Sequence, residues 1–332
     1  MTVDISTPRT IAFQAGERNV FFHILTACNL HCSHCYINPE QHGSTTLYKE
    51  TIFKWLKLFA RENQKTNLIL LGGEPTLHPD LAEIVEKAKK MGFATTVDSN
   101  GFLHHDFLKK THPEVLDYLS FSLDGPTAEI NDPIRGEGVF DVCVQGVKDA
   151  LALGHRVSMI YTVSGKNIEY LHLMPALLKE LGVQKFFIQV IGLRGESAKE
   201  SDGLQVNRTR WFDVVPEVAR EVAKMGISVT WPKVYLADDE KFECAGNVAE
   251  NYFVFPNGRV YQCPLCEDHP IHSLEIVNDR LVTRNGLTEK QFFGLNIEEG
   301  CVMNKLLQPD NICYKNGKVE NKISCCMLKQ EL

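Results

Sequence analysis

Three cysteines within eight residues are the feature of this sequence that most directly predicts chemistry. Cys28, Cys32 and Cys35 lie in the run T-A-C-N-L-H-C-S-H-C-Y, and the next cysteine along the chain is Cys143. Thiolates are soft ligands that suit zinc, copper and iron–sulfur clusters. A structural zinc site normally has four protein ligands, so three thiolates leave one coordination position open. The run therefore suits a cubane cluster with one open iron, which a loop after the first strand would present.

A zinc site is the competing interpretation of the same run. His31 and His34 lie within it and are the nearest additional ligands, and Cys-x-x-Cys pairs are common in zinc modules. In that case the three cysteines would close a structural site, and the chain would be a zinc-stabilised binding protein. Colour would separate the two, because Zn²⁺ is d¹⁰ and colourless.

The composition is that of a globular protein from a reducing compartment. The chain has 332 residues, 44% of them hydrophobic, so it can bury a large core. Its formal net charge of −7 provides no general basic surface for nucleic acid, and no apolar run is long enough to span a membrane. The first six residues lack the pattern of a secretion signal. We therefore expect a cytoplasmic protein whose eleven cysteines include metal ligands, with neither a membrane nor a nucleic-acid partner.

Alternating strands and helices are predicted to position the cysteine run. Short apolar runs alternate with amphipathic segments from residue 20 to residue 225, which indicates βα units and a parallel sheet. The predicted strands are Val20–Leu25, Asn67–Leu71, Ala94–Asp98, Tyr118–Leu123, Val157–Val163 and Phe186–Ile191. The predicted helices are Leu47–Arg61, Asp80–Met91, Val139–Leu153, Tyr170–Leu181 and Trp211–Met225. The expected fold is α/β, a partial (β/α)6 barrel whose functional loops lie at the C-terminal ends of the strands.

A different pattern begins after about Val229. Seven of the eleven cysteines lie between Cys244 and Cys326, and Asn257-Gly258 between two aromatic runs predicts a β-hairpin. Fewer than twenty residues precede the first predicted strand, too few for a separate peptide-recognition domain. The expected organisation is an N-terminal segment over residues 1–18, a barrel over 19–235 and a small cysteine-rich domain over 236–332.

The spacing Cys28-x-x-x-Cys32-x-x-Cys35 after a first strand resembles the signature of the radical S-adenosylmethionine (radical SAM) superfamily. The resemblance implies a [4Fe-4S] cluster on these cysteines, with one open iron that binds S-adenosyl-L-methionine. It also implies reductive cleavage of that cofactor to a 5′-deoxyadenosyl radical, which abstracts hydrogen from a substrate. A flavodoxin- or ferredoxin-type electron donor is expected as a partner.

Loops after the next strands extend the resemblance. The Gly-Gly-Glu-Pro loop resembles the one that contacts the amino group of the cofactor, because two glycines permit close backbone approach. Glu74 could orient the ammonium group or neighbouring backbone. The residues after this loop have a simpler explanation without a cofactor. Asn100-Gly101 and Asp124-Gly125 are typical of turns, and Arg135 would be a charged residue on the surface. The residues that the resemblance places around the cofactor are Gly72, Gly73, Glu74, Pro75, Asn100, Ser122, Asp124 and Arg135.

The spacing of Cys244, Gly258 and Cys263 resembles the opening of the SPASM and twitch extensions, which carry auxiliary [4Fe-4S] clusters. It implies at least one such cluster here, with Cys244 and Cys263 among its ligands. A full SPASM pattern continues with four closely spaced cysteines, and this chain lacks that spacing. A zinc ribbon around Cys263-Pro264-Leu265-Cys266 is the competing interpretation. Adjacent cysteines on an extended backbone point in divergent directions, so both would ligate one cluster awkwardly. The remaining candidate ligands are Cys266, Cys301, Cys313, Cys325 and Cys326.

The substrate is the least constrained part of the prediction. Thr162, Asn167, Gln189 and Arg194 lie near the ends of the last two predicted strands, where they could line a substrate pocket. Equally, Gln189 suits a satisfied core amide and Arg194 a solvated charge. Radical SAM enzymes with such extensions modify peptides and proteins or act on small molecules. The first hypothesis is a radical SAM oxidoreductase that oxidatively matures a ribosomal peptide or a protein. The second is oxidation, dehydration or rearrangement of an aminocyclitol, a nucleoside or a tetrapyrrole precursor.

Overall fold

The computed structural model of the protein describes residues 7–11, 14–62, 64–199, 203–267 and 270–332. Residues 1–6, on which the expectation of no secretion signal rests, lie outside the described residues. The strands are β1 (Arg9–Ile11), β2 (Arg18–His23), β3 (Thr66–Leu71), β4 (Phe93–Ser99), β5 (Tyr118–Ser122), β6 (Val157–Val163), β7 (Lys185–Val190), β8 (Ser228–Pro232), β9 (Glu250–Val254), β10 (Arg259–Tyr261), β11 (Leu274–Val277), β12 (Arg280–Thr283), β13 (Tyr314–Lys315), β14 (Lys318–Val319) and β15 (Lys329–Glu331). The helices are α1 (Pro39–His42), α2 (Lys49–Phe59), α3 (Leu81–Lys90), α4 (Phe107–Lys110), α5 (Ala128–Arg135), α6 (Val139–Ala152), α7 (Met174–Leu181), α8 (Glu196–Lys199), α9 (Arg208–Lys224), α10 (Ala245–Val248) and α11 (Val302–Leu307).

Thirteen strands form one sheet in the order β1-β15-β8-β7-β6-β5-β4-β3-β2-β9-β10-β11-β12. The strands from β8 to β9 in this order run parallel to one another. Because β2 to β8 follow chain order and crossovers between parallel strands are right-handed, the connecting helices all lie on one face. In the described part of the chain the edge strands β1 and β12 do not pair, so this is a βα barrel that does not close.

All six predicted strands are present, with ends that differ from the prediction by at most two residues. The five predicted helices are present as well, although the segment before α7 is a 3-10 helix, Ile168–Leu173. The sequence analysis missed β8, because it ended the alternation near Val229. The residues of β8, Ser-Val-Thr-Trp-Pro, are rich in β-branched and aromatic types and could have indicated a strand.

The main core lies between the sheet and its helices. Side chains alternate along each strand, so that Val20 and Phe22 of β2 are fully buried against Leu56 of α2 and Ile84 of α3. We call the opposite side of the sheet the inner face. Its side chains are more polar and less buried than those on the helix side, as Asp98 near the C-terminal end of β4 illustrates. The inner face is therefore the surface that can accept a polar ligand.

The C-terminal region is continuous with the barrel sheet. β9 pairs in parallel with β2, and β15 lies between β1 and β8. The predicted hairpin around Asn257-Gly258 is confirmed as β9 and β10, with Gly258 in the left-handed region at φ 88°. A second core, which includes Phe253 and Phe255, lies beside the hairpin. The division of the chain at residue 235 stays a prediction.

None of the helices in the described residues combines the length and the apolar character that crossing a bilayer requires.

Candidate functional site

The cysteine run lies after the C-terminal end of β2, where contacts from two helices hold it. The backbone N–H of Ser33 donates to the carbonyl of Ile134 in α5 at 2.9 Å. On the other side, the N–H of Glu196 in α8 donates to the carbonyl of Cys35 at 2.8 Å. All three thiols of the run are half-buried. The loop therefore presents three thiols from a position that neighbouring helices determine.

The Gly-Gly-Glu-Pro loop after β3 packs directly on the backbone that leads into the run. The N–H of Gly73 donates to the carbonyl of Leu25 at 3.1 Å, and that of Glu74 donates to the carbonyl of Ala27 at 2.9 Å. A Cβ atom on Gly72 or Gly73 would overlap one of these two carbonyl oxygens. The close approach that the glycines permit in this structure is therefore an approach to the cysteine loop.

Glu74 is buried beneath this loop and joins it to the end of β4. Its carboxylate accepts hydrogen bonds from the N–H and hydroxyl of Thr76 at 3.0 and 2.6 Å. It also accepts from the hydroxyl of Ser99 at 2.9 Å and from the N–H of Asn100 at 2.7 Å. Thr76 belongs to the 3-10 turn Pro75–Leu77. Burial raises the pKa of Glu74, and these hydrogen bonds act in the opposite direction. Glu74 thus orients neighbouring backbone, one of the two roles expected for it.

Asn100 connects the end of β4 to the cysteine run. Its side-chain amide donates to the Oδ1 atom of Asn29 at 2.8 Å and lies 3.9 Å from the Sγ atom of Cys28. Its own Oδ1 atom accepts from the N–H of Phe102 at 3.2 Å. Asn29 is not among the residues predicted for the site, although its place directly after Cys28 is a signal that could have identified it.

Asp124 and Arg135 form a buried ion pair next to the run. The Nε atom of Arg135 lies 2.6 Å from Oδ2 of Asp124, and Nε2 of His34 lies 3.2 Å from the same oxygen. The other carboxylate oxygen accepts from the N–H of Thr162 at 2.7 Å. Burial lowers the pKa of His34, while Asp124 raises it. Arg135 is only 7% exposed, so the interpretation of this residue as a surface cation is wrong.

Two of the four residues considered for a substrate pocket serve the fold. The amide of Asn167 donates to the carbonyl of Thr162 at 2.9 Å, and Asn167 is buried. Arg194 forms an ion pair with Glu267 at 2.7 Å and donates to the carbonyl of Pro264. The interpretation of Arg194 as a solvated charge is therefore wrong, because it links the barrel to the C-terminal region.

The other two, Thr162 and Gln189, lie on the inner face together with Ser122. Ser122 ends β5 and is half-buried, and its carbonyl lies 3.7 Å from the Sγ atom of Cys143. Cys143 is fully buried in α6, as expected of a core thiol. Gln189 is exposed, so its interpretation as a core amide is wrong. Phe186 and Ile188 on the same strand are buried under the helices.

Most of the C-terminal cysteines surround one cavity in the second core, which we call the cysteine cavity. Its lining cysteines are Cys244, Cys263, Cys301, Cys325 and Cys326. The thiols of Cys244 and Cys325 are hydrogen-bond partners, and those of Cys263 and Cys266 are another such pair. Cys313 is exposed and does not line the cavity. The structure therefore gathers six of the seven candidate ligands and leaves one apart.

The adjacent residues Cys325 and Cys326 both line this cavity, and their thiols are hydrogen-bond partners. The sequence analysis expected them to diverge, and that expectation is wrong here. The N–H of Leu328 donates to the carbonyl of Cys325 at 2.9 Å, so the chain turns at this point. Divergence of neighbouring side chains applies to extended backbone, which this turn is not.

A stack of three rings joins the cysteine run to the C-terminal hairpin. The ring of Phe255 lies between those of His23 and His42, with centroids 4.0 and 3.9 Å away. The Nε2 atom of His23 lies 2.7 Å from the hydroxyl of Tyr36, the residue that follows Cys35. Burial lowers the pKa of His23. Sequence reasoning assigned no role to these histidines, since nothing local reveals contacts across more than two hundred residues.

Comparison with known families decides what this arrangement is. Residues 23–178, which contain the cysteine run and the loops packed on it, match the model of the Radical SAM superfamily. Residues 23–178 form a radical SAM domain. The chain is 32% identical over 184 residues to the probable GTP 3′,8-cyclase of Saccharolobus solfataricus, a match that covers 54% of this chain and 59% of that one. It is 26% identical over 215 residues to the Fe-coproporphyrin III synthase of Methanosarcina barkeri, covering 62% and 53% of the two chains.

These matches span little more than half of each relative, so they concern only part of either protein. The fold is similar over a longer stretch to that of Streptococcus suis SuiB bound to precursor peptide SuiA. That comparison has a TM-score of 0.63 at 12% identity and covers 90% of this chain and 66% of that chain. The predicted α/β fold with a partial (β/α)6 barrel is confirmed.

A radical SAM domain implies a [4Fe-4S] cluster and S-adenosylmethionine, and the thiols of the cysteine run fit that group. Burial, together with the charges of Cys35 and Cys28, raises the pKa of Cys32 to about 11 against the attraction of Arg135. The three thiols thus lie close enough to sense one another's charge. Among the described residues, no three Cys, His, Asp or Glu side chains converge as ligands of a single metal ion. A cubane does not need that convergence, since each thiolate binds a different iron.

Proposed function

We propose that this chain is a radical SAM enzyme that acts on a small molecule bound over the inner face of the barrel. The observation that carries the proposal is the contact between the cysteine run and the Gly-Gly-Glu-Pro loop. Two backbone hydrogen bonds join this loop to the residues just before Cys28. The two backbones approach so closely that a Cβ atom on Gly72 or Gly73 would overlap a carbonyl oxygen. When bound, the cluster and S-adenosylmethionine supply a 5′-deoxyadenosyl radical, which can take hydrogen from an unreactive carbon.

The chain's own residues would hold and orient these groups. Cys28, Cys32 and Cys35 would ligate the cluster. Glu74 and Asn100 fix the two loops that lie beside the first thiol, and the buried ion pair of Asp124 and Arg135 supports the other side. The residues that we propose to surround S-adenosylmethionine are Gly72, Gly73, Glu74, Pro75, Asn100, Ser122, Asp124 and Arg135.

The sequence relatives favour a small molecule over a peptide. One is named for a reaction of GTP and another for the synthesis of Fe-coproporphyrin III, and both names describe small molecules. This was the second hypothesis from the sequence. A peptide substrate is the other candidate, and the fold shared with SuiB in its complex with a precursor peptide favours it.

We also propose that the cysteine cavity holds an auxiliary [4Fe-4S] cluster in a SPASM- or twitch-like extension. The cavity is enclosed by aromatic and apolar side chains, including Phe242, Phe293 and Met303. The five thiols that line it and the adjoining thiol of Cys266 suit a soft metal site, and these six exceed the four that one cubane uses. We expect Cys244 and Cys263 among the ligands. A flavodoxin- or ferredoxin-type protein is the expected electron donor.

Formation of 5′-deoxyadenosine tests the proposal. Anaerobically reconstituted protein, reduced with dithionite and supplied with S-adenosylmethionine, should release 5′-deoxyadenosine, and a true substrate should accelerate the release. Replacing Cys28, Cys32 and Cys35 together with alanine should abolish it and lower the iron content from about eight to about four per chain. The matched control is Cys313→Ser, because Cys313 is exposed. Unchanged release in the triple variant would contradict the proposal.

GTP, coproporphyrin III and short peptides can then be compared as stimulants of that release. Acceleration by GTP or the porphyrin supports the small-molecule candidate. Acceleration by peptides alone would favour the second candidate.

A further inference from the structure

Polar side chains from three strands form one row across the inner face, near the C-terminal ends of the parallel strands. Thr162 of β6 pairs with Gln189 of β7, and Pro232 of β8 pairs with Lys329 of β15. On the same face, Phe187, two residues before Gln189, pairs with Thr230 of β8, and Thr230 pairs with Glu331, two residues after Lys329. Cross-strand neighbours share a face of the sheet, so Thr162, Gln189 and Lys329 face the same side.

The side chain of Lys329 extends over this face. Its ammonium lies 4.4 Å from the centre of the Phe187 ring, and Phe187 is the residue two before Gln189 on β7. The strand that carries Lys329 begins three residues after Cys326, which lines the cysteine cavity. The row therefore lies where the barrel meets that cavity.

No carboxylate in the described part of the chain lies within ion-pair distance of the Lys329 ammonium, whereas the guanidinium groups of Arg135 and Arg194 pair with Asp124 and Glu267. The side chain of Lys329 is half-buried on the inner face, with the Phe187 ring beside its ammonium. An anion that enters beside this ammonium would supply the counter-charge that no carboxylate provides.

Two neutral groups of the row can complete the recognition of an anion. The exposed amide of Gln189 makes no hydrogen bond within the described residues, so its N–H groups can donate to a ligand. The hydroxyl of Thr162 can donate as well, because it is the backbone N–H of this residue that binds Asp124. One ammonium with an amide and a hydroxyl beside it suits the oxygens of a carboxylate or a phosphate.

We propose that Lys329, Gln189 and Thr162 form a subsite that binds a carboxylate or phosphate group of the substrate. The proposal rests on the proposed function, because it assumes that a small molecule binds over the inner face. It adds that the substrate is anionic, and that residues of the C-terminal strand β15 contribute to its binding. The charge at Lys329 supplies most of the attraction, and the two neutral donors select the geometry.

Chemical labelling of the full-length reconstituted protein tests the subsite directly. Lysine acetylation is followed by peptide mass spectrometry with no anion, with tripolyphosphate and with citrate. At an anion concentration about ten times its dissociation constant, labelling of Lys329 should slow about tenfold. Lys315, which is exposed on β13, is the internal control and should react at the same rate throughout. Protection by tripolyphosphate alone assigns the subsite to phosphate, and protection by citrate alone assigns it to carboxylate.

Two variants separate charge from structure. Lys329→Gln should weaken binding of the protecting anion, measured by calorimetry, about tenfold or more, the size of one lost charge-assisted hydrogen bond. Lys329→Arg should restore most of the affinity, and Lys315→Gln should not change it. Equal affinity in Lys329→Gln, or labelling that neither anion slows, would overturn the subsite. Release of 5′-deoxyadenosine by the unmodified protein is measured separately. If no release is seen although an anion protects Lys329, the proposed function fails and the anion subsite stands.

Discussion

The carboxylate of Glu74 accepts a hydrogen bond of 2.7 Å from the backbone N–H of Asn100, whose side chain in turn donates to Asn29 beside Cys28. This chain of contacts joins the ends of β3 and β4 to the cysteine run. Because Glu74 is 1% exposed and all its hydrogen bonds are internal, it acts on the site by positioning. The place of the first thiol therefore depends on a residue that need not contact the cluster.

Replacing Glu74 with glutamine should weaken both the fold and cofactor binding. The substitution turns one acceptor oxygen into an N–H donor that faces other donors. We expect the free energy of unfolding to fall by about 1–3 kcal/mol. Urea unfolding and titration with S-adenosylmethionine measure the two effects. Glu180→Gln, on the exposed side of α7, is the control and should change neither. If Glu74→Gln kept wild-type stability and wild-type affinity for S-adenosylmethionine, Glu74 would have no positioning role in the site.

Gly73→Ala should disturb the cysteine run. Its Cβ atom would overlap the carbonyl oxygen of Ala27, so the loop that leads to Cys28 must move. We expect iron to fall from about eight to about four per chain, with the remainder in the cysteine cavity. Gly294→Ala is the matched control, because no heavy atom lies within 4 Å of a Cβ placed there. Full iron content in Gly73→Ala would show that the two loops tolerate separation.

The cysteine cavity predicts which C-terminal cysteines hold iron. Cys244→Ala should remove the auxiliary cluster, because Cys244 lines the cavity and its thiol contacts that of Cys325. Cys313→Ser should leave iron unchanged, since Cys313 is exposed outside it. Iron analysis and visible absorption under anaerobic conditions distinguish the two variants. Loss of iron in Cys313→Ser would mean that the ligand set differs from the cysteines gathered here.

The ion pair of Arg194 and Glu267 should couple the barrel to the C-terminal region. Arg194→Met would remove the guanidinium that pairs with the carboxylate of Glu267, a residue that is 4% exposed. We expect a loss of about 3–5 kcal/mol in unfolding free energy. The double variant with Glu267→Gln should lose less than the sum of the single changes.

An exposed pair provides the control for this cycle. Lys90 and Glu86 form an ion pair on the surface of α3, so Lys90→Met should cost less than about 0.5 kcal/mol. Additive effects of the Arg194 and Glu267 changes would count against coupling through this pair.

Asp98 should make the protein less stable as the pH rises towards neutrality. Burial, together with the charge of Glu74, raises its pKa to about 7 against a hydrogen bond from Ser120. The folded protein then holds a proton that the unfolded chain has lost, so stability falls between about pH 4 and pH 7. Asp98→Asn should flatten this part of the curve and be the more stable protein at pH 8. Thermal unfolding across the range measures it, and parallel curves for the two proteins would refute the prediction.

Local patterns in the sequence were enough to predict most of the fold and the first cysteine site. Strand and helix periodicity predicted the six βα units, because each element buries one face and repeats its apolar residues accordingly. The three thiols of the run are neighbours in sequence, so their spacing predicted a metal site, and its resemblance to the radical SAM signature favoured a cluster over zinc. Asn257-Gly258 predicted the hairpin for the same reason, since the turn needs a residue in the left-handed region.

Such local patterns could not predict the contacts between segments that are distant in the sequence. That Glu74 binds Asn100, that Arg194 pairs with Glu267, and that β15 brings Lys329 to the inner face all depend on which strand ends meet. The same holds for the C-terminal cysteines, where a turn after Cys325 places adjacent thiols in one cavity. These partners are set by the order of strands in the sheet and by long-range packing, and a single sequence carries no local signal of either.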